Sequence, residues 1–167
     1  MLHRIKQFFS ALNPKILIDD DFYISTHLNA EQQKLFFAMS KADQFHCLHT
    51  AYTIERLVIE DKKNIDREFL IRCALLHDCG RVNGDLPVFA KVFTVLVSEI
   101  VPKFADYLEL HGNNWIYIYR HHAEIGARKL QAVGLFKEAK IVAKHHSPSE
   151  QNEPKELKLL RIADEVN

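Results

Sequence analysis

The sequence predicts an all-α protein, a single compact helical bundle, from three observations. Only five glycines and five prolines interrupt 167 residues. Most long segments carry apolar residues at three-to-four spacing, the period of one helix face. The one β-branched, all-round apolar run, VFAKVFTVLVSEIV over 88–101, suits a buried strand or a buried helix equally well. It is read as helix because no partner strand is visible elsewhere.

Taken in order, a basic amphipathic helix is expected over about 2–12, with Ile5, Phe8, Phe9 and Leu12 on one side and Arg4 and Lys6 on another, ended by Asn13-Pro14. That helix could dock on the core, on a second subunit or on a membrane surface. Asp19-Asp20-Asp21 reads as a loop leading to a helix over about 29–40. The next helix, about 43–61, places Phe45, Leu48, Tyr52 and Leu57 along an apolar stripe. Asp66 is an N-cap candidate for a helix running to His77, and Asn83-Gly84-Asp85 is a turn. Further helices are expected over about 102–110, 115–132 and 136–146. SPSEQNEP breaks the chain, and Pro154 suits the first turn of a last helix.

Composition excludes several classes. The apolar fraction of 47% is that of a globular domain, and the 22 basic residues balance 22 acidic ones, leaving no global field for nucleic acid or anionic lipid. No run approaches the ~18 apolar residues of a transmembrane helix, and the first residues lack the continuous apolar stretch and cleavage site of a secretory signal. Cys47, Cys73 and Cys79 form no CxxC pair, and their odd number suits a reducing compartment. A cytoplasmic protein is expected.

Several polar side chains are expected on core-facing stripes. Leu157, Leu160 and Asp164 share one helix face, and a carboxylate there is costly unless a cation or strong donor meets it. Taken alone, Asp164 would be a buried salt bridge. Leu70, Ala74 and His77 share another face, and Asp78 follows about 100° further round. His122 shares a face with Ile125, with Gly126 offering close backbone approach. Val142 lies one turn before His145-His146, so at least one of that pair should face inward. His46 and His49 are one turn apart. Seven of the ten histidines fall in or beside these packets. A lone buried histidine is usually a satisfied core residue, but one metal centre accounts for all the packets together.

The ordered pieces DQFHCLHTAY, ALLHDCGR, HHAEIGARKL, IVAKHHSP and LLRIADEVN resemble the HD-domain phosphohydrolase superfamily, in particular its compact bacterial members and small di-metal nucleotide hydrolases. The resemblance covers 43–167 and leaves 1–42 as an N-terminal helical extension packed on the core. It implies that His46, His77, Asp78 and Asp164 hold one metal, and that Asp78 bridges to a second held by His122 and His145 with His146. It also places His49 and His121 beside the ligands as substrate-pocket residues. One or two divalent ions are implied, and imidazole ligands favour iron, manganese, zinc or nickel over magnesium. A di-metal centre polarises phosphoryl oxygens and lowers the pKa of bound water toward ~7. Asp78 and Arg81 are therefore the catalytic candidates. Arg81 would clamp a substrate phosphate bidentately, with Arg128 a weaker candidate of the same kind.

Departures from the superfamily's branches narrow this expectation. No GYP follows His145-His146, against a cyclic-di-GMP phosphodiesterase, and no Glu-Asp pair follows His77-Asp78, against an alarmone hydrolase. The stretch from Asn83 to about Trp115 is long enough to shape a pocket, and Trp115, Tyr117 and Tyr119 offer stacking surfaces for a nucleobase, although such clusters are commonly core. The expected substrate is small, phosphorylated and nucleotide-like, with no nucleic-acid partner; a homodimer is compatible. Two other readings stand beside it: a metal- and nucleotide-binding sensor module without turnover, and a structural protein whose histidines are merely packed.

Overall fold

The structure is a computed structural model that describes residues 18–60, 65–81 and 88–167. Among these residues the regular structure is all α-helix: α1 Ile18–His27, α2 Ala30–Phe37, α3 Lys41–Glu60, α4 Arg67–Leu76, α5 Val88–Ile100, α6 Pro102–Leu110, α7 Asn114–Ala132, α8 Phe136–Val142 and α9 Lys155–Val166. The expected 2–12 helix and the Asn83-Gly84-Asp85 turn lie outside the described residues.

The centre of the bundle is α4. Its Leu70, Ile71, Cys73, Ala74, Leu75 and Leu76 are all buried, as the broad apolar face of its second half requires. It packs against α1, α2, α3, α8 and α9. The Asp66 side chain accepts from the Phe69 backbone N–H at 3.0 Å, starting the helix where the sequence places it. At the far end the chain tightens, with Cys79 N–H donating to Leu76 O and Arg81 N–H to Asp78 O. His77 and Asp78 are thereby carried to the end of the most buried helix. The described segments before residue 43 add Ile24, Leu28, Phe36 and Met39 to the same core.

Three expectations change. Asp19-Asp20-Asp21 is not a loop but the first turn of α1, where carboxylates favour the positive end of the helix dipole. The buried face of α3 is Cys47, Leu48, Ala51 and Ile54, while Phe45, Tyr52 and Leu57 are only half-buried. Last, α8 stops at Val142, so His145 and His146 sit in a tight turn beyond it, and Pro154 is the N-cap of α9 rather than a first-turn residue.

The run at 88–101 is helical as expected, but it is not buried on every side. Val97 packs with Ala105, Ile116 and Leu108 in a second, small apolar cluster, while Leu96 and Ile100 face solvent. α5 and α6 meet each other and α7. α7 then continues past them, so that Ala127 and Leu130 join the main core.

Arg72 of α4 pairs with the buried Glu138 of α8 at 2.9 Å, tying together the two helices whose ends carry His77 and His145. Replacing Arg72 by Met should cost about 2 kcal/mol in urea unfolding, because Glu138 is left buried without its partner. The double variant Arg72→Met, Glu138→Gln should recover most of that loss; equal destabilisation of both would disprove the pairing's role.

Candidate metal centre

Five segments converge at one place. His46 comes from α3, His77 and Asp78 from the end of α4, His122 from α7, His145 and His146 from the turn after α8, and Asp164 from α9. Three overlapping sets have ligand atoms within 4.8 Å of one another: Asp78, His122, His145 and His146; His46, His77 and Asp78; and His77, His145 and Asp164.

The ring orientations follow from local backbone. Nδ1 of His77 lies 2.8 Å from Ala74 O, Nδ1 of His122 lies 2.7 Å from Tyr119 O, and Nδ1 of His145 lies 2.6 Å from Val142 O. A carbonyl only accepts, so each Nδ1 carries a proton and each Nε2 is the nitrogen turned inward, with a lone pair for a metal whenever the ring is neutral. In every case the acceptor is the carbonyl three residues earlier, so one device built three times aims three Nε2 atoms inward.

Asp78 is the hub. Its Oδ1 lies 3.3 Å from His122 Nε2 and 3.9 Å from His145 Nε2, while Oδ2 lies 3.7 Å from His77 Nε2 and 4.0 Å from His46 Nε2. Asp164 Oδ1 is 2.8 Å from His46 Nε2 and 3.4 Å from His77 Nε2. Arg81 Nη1 stands 3.0 Å from Asp78 Oδ2, and its Nη2 is 3.3 Å from His122 Nε2.

Both oxygens of Asp78 and Nε2 of His145 are buried, and none has a hydrogen-bond partner of proper geometry. Such groups are expensive to bury unsatisfied, and all three face the same small space. A divalent cation fits this donor set of imidazole nitrogens and carboxylate oxygens.

The electrostatics agree with a site made to receive positive charge. Burial would raise the Asp78 pKa, but the charges of Arg81 and then His77 hold it well below the usual carboxylate range. Asp164 is likewise lowered, as hydrogen bonds from His46 and His77 outweigh its burial. Burial, then repulsion from His146 and His77, pushes His145 well below an ordinary histidine, so it is neutral and able to ligate. Loss of solvent around His146, with His122 and Arg81 nearby, brings it down to about 4. For His77 burial pulls down, yet Cys47, Asp78 and Asp164 together raise it well above normal. Cys47 attracts only as a thiolate, which its own burial disfavours, so the two carboxylates are the physical cause.

The remaining sequence candidates are distributed differently. His121 pairs with Glu109 at 2.8 Å on the α6 side of α7 and belongs to none of the three sets. His49 packs between the rings of Phe45 and Tyr52, also outside them. Arg128 is exposed on α7. Trp115 and Tyr117 are exposed rather than core. Cys79 is fully buried and burial pushes its thiol up to about 12, so it behaves as a small apolar residue. Two residues beside the ligands escaped the sequence reading. Asp43, buried one turn before His46, lies 4.0 Å from Arg81; its three-residue spacing from His46 was the available signal. Arg161 holds the turn bearing His145, and no sequence signal announces it.

The contact that sets the two halves together is backbone against backbone. A Cβ on Gly80 would fall 1.9 Å from His122 O, and one on Gly126 would fall 3.2 Å from Gly80 N. Only hydrogen at position 80 lets the end of α4 lie directly on α7, bringing Asp78 to His122.

Fold and site together define an all-helical protein built around a convergent histidine–aspartate cluster able to hold metal. The HD domain family model matches residues 45–167, and the chain belongs to the HD domain family. HD domains are typically metal-dependent hydrolases. No curated protein and no solved structure matches the chain.

Gly80→Ala should lower stability by about 2 kcal/mol or more, since neither backbone can yield cheaply, and should weaken metal uptake measured by equilibrium dialysis. Gly126→Ala should do less on both counts. Wild-type behaviour of Gly80→Ala would refute the close approach.

Proposed function

We infer that this HD domain is a metal-dependent phosphohydrolase that cleaves a phosphate ester or anhydride of a small, nucleotide-like substrate. The observation that carries the reading is the set of buried atoms without a hydrogen bond, Asp78 Oδ1 and Oδ2 and His145 Nε2, ringed by histidines whose Nε2 atoms are already aimed inward. Preorganisation of this kind serves ligation rather than packing.

His122, His145 and His146 with Asp78 Oδ1 would hold one divalent ion; His46, His77 and Asp164 with Asp78 Oδ2 would hold a second. Iron, manganese, zinc or nickel suits these nitrogens better than magnesium. Such ions supply Lewis acidity at a phosphoryl oxygen and a nucleophilic water near neutral pH. The protein's own part is to keep Asp78 ionised between the two halves and to bring Arg81 alongside. With its guanidinium 3.0 Å from Asp78 and its side chain partly exposed, Arg81 is in position to bind a phosphate oxygen and balance charge developing on the leaving group. His146 is the solvent-exposed member of its ligand set, which leaves the centre open to substrate at that ligand. Trp115 precedes His122 by two helical turns on the same face of α7 and is exposed, about 10 Å along the axis. That distance suits a base stacked on the indole while its phosphate reaches the cluster, which supports a nucleotide-sized substrate. Three unpaired, buried cysteines support a cytoplasmic setting.

The protein purified anaerobically should contain iron, manganese, zinc or nickel. Stripping metal with a chelator should lower Tm, and adding it back at about a hundred times Kd should restore about 2.7 kcal/mol of stability. Across a panel of nucleotides and a generic phosphodiester, Asp78→Asn should lose activity by at least about 100-fold. Equal turnover by wild type and Asp78→Asn would overturn the hydrolase reading, and metal-dependent nucleotide binding with no turnover would identify a sensor module instead.

A further inference from the structure

Asp164 and Arg161 are three residues apart on α9, and both reach toward the metal centre from that helix. Asp164 contacts His46 and His77 directly. Arg161 contacts no ligand side chain. Its Nε donates to the backbone carbonyl of His145 at 3.1 Å and its Nη2 to that of Lys144 at 2.7 Å, while Nη1 pairs with Glu153.

The turn that receives these bonds lies beyond α8 and lacks the regular ladder that fixes a helical residue. His145 N–H reaches Val142 O at 3.3 Å, and Ser147 N–H reaches Lys144 O at 3.0 Å. His145 Nδ1 is tied to Val142 O, so the direction of Nε2 depends on the orientation of the 143–146 peptides. The guanidinium fork grips two successive carbonyls of that turn, and its charge also suits the negative end of α8. The fork is itself held. Glu153 is nearly inaccessible, with its side chain 4% exposed, and accepts from Ser149 Oγ at 3.1 Å as well as from Arg161. The chain from Glu153 through Arg161 to the His145 carbonyl therefore locks the loop, the turn and α9 into one unit.

We propose that Arg161 is a positioning residue that sets the His145–His146 pair in register with Asp164 and Asp78, and thereby tunes metal affinity at the His122, His145 and His146 half of the centre. The proposal rests on the metal-binding reading above.

The test uses the full chain loaded with cobalt(II), whose visible spectrum reports ligand number and geometry. Wild type is compared with Arg161→Lys, which keeps a charge for Glu153 but cannot fork, and with the double variant Arg161→Met, Glu153→Gln, which leaves no buried carboxylate unpaired. Titrations are run well below each variant's melting temperature, with folding verified by circular dichroism. The double variant should bind cobalt about 10- to 100-fold more weakly, the range seen for groups that support metal ligands from behind. Its spectrum should be altered, and Arg161→Lys should fall between it and wild type. A purely structural role would lower melting temperature without changing affinity or spectrum in the folded protein. If wild type binds cobalt and either folded variant binds it equally well with the same spectrum, the proposal is overturned while the metal reading stands. If wild type binds no cobalt, the metal reading fails and the proposal fails with it.

Discussion

The buried carboxylate of Asp78 is the constraint to which the rest of the molecule answers. It sits at the end of the central helix α4, with no exposed surface and no hydrogen-bond partner for either oxygen. An anion so placed must be met by cationic groups or excluded, since water cannot reach it. Four segments deliver a nitrogen-bearing side chain to that point: Arg81 from its own turn, His46 from α3, His122 from α7 and His145 from beyond α8. The absence of side chains at Gly80 and Gly126 lets α4 and α7 come close enough for this to happen. The price is a destabilising concentration of polar groups in the middle of the core.

The rest of the bundle reads as support for that concentration. The main core surrounds α4 with Ile24, Leu28, Phe36, Leu48 and Leu160, among others, and the Arg72–Glu138 pair joins α4 to α8. The small cluster of Val97, Ala105 and Ile116 carries α5 and α6 on the first half of α7, next to the centre but apart from it. His77 and His145 both lie just past a helix end, where the chain turns tightly. There a ring can bond its own backbone three residues back and still point its other nitrogen away from the helix axis.

How much of this was legible depended on whether a signal was local. Asp66 as a cap, the helical reading of 88–101 and the inward face of Leu157, Leu160 and Asp164 all follow from short-range spacing, and each agrees with the structure. The three aspartates at 19–21 misled because acidic residues suit loops and helix N-termini alike; what decides is the packing of Ile24 and Leu28 further along. The apolar stripe on α3 lies at the edge of its buried face: Leu48 is in the core and Tyr52 and Leu57 pack against it only half-buried, while the small residues Cys47 and Ala51 take the centre. His121 and His122 are neighbours with opposite fates. Their identical chemistry gave no basis for choosing except the AEIGA that follows, whereas the fold sends one to Glu109 and the other to Asp78.

The sequence by itself determined the all-helical class, the family resemblance and the residues able to act as ligands, because helix periodicity and the chemistry of histidine and aspartate are properties of short segments. Tertiary structure alone decided which ligand atoms share a space, which nitrogen of each ring faces it, and that Asp43 and Arg161 stand beside it. These are relations between segments as distant as His46 and Asp164, fixed by backbone approach at Gly80 and by carbonyls that orient the rings. No spacing along the chain encodes such distances, since they exist only once the helices have packed.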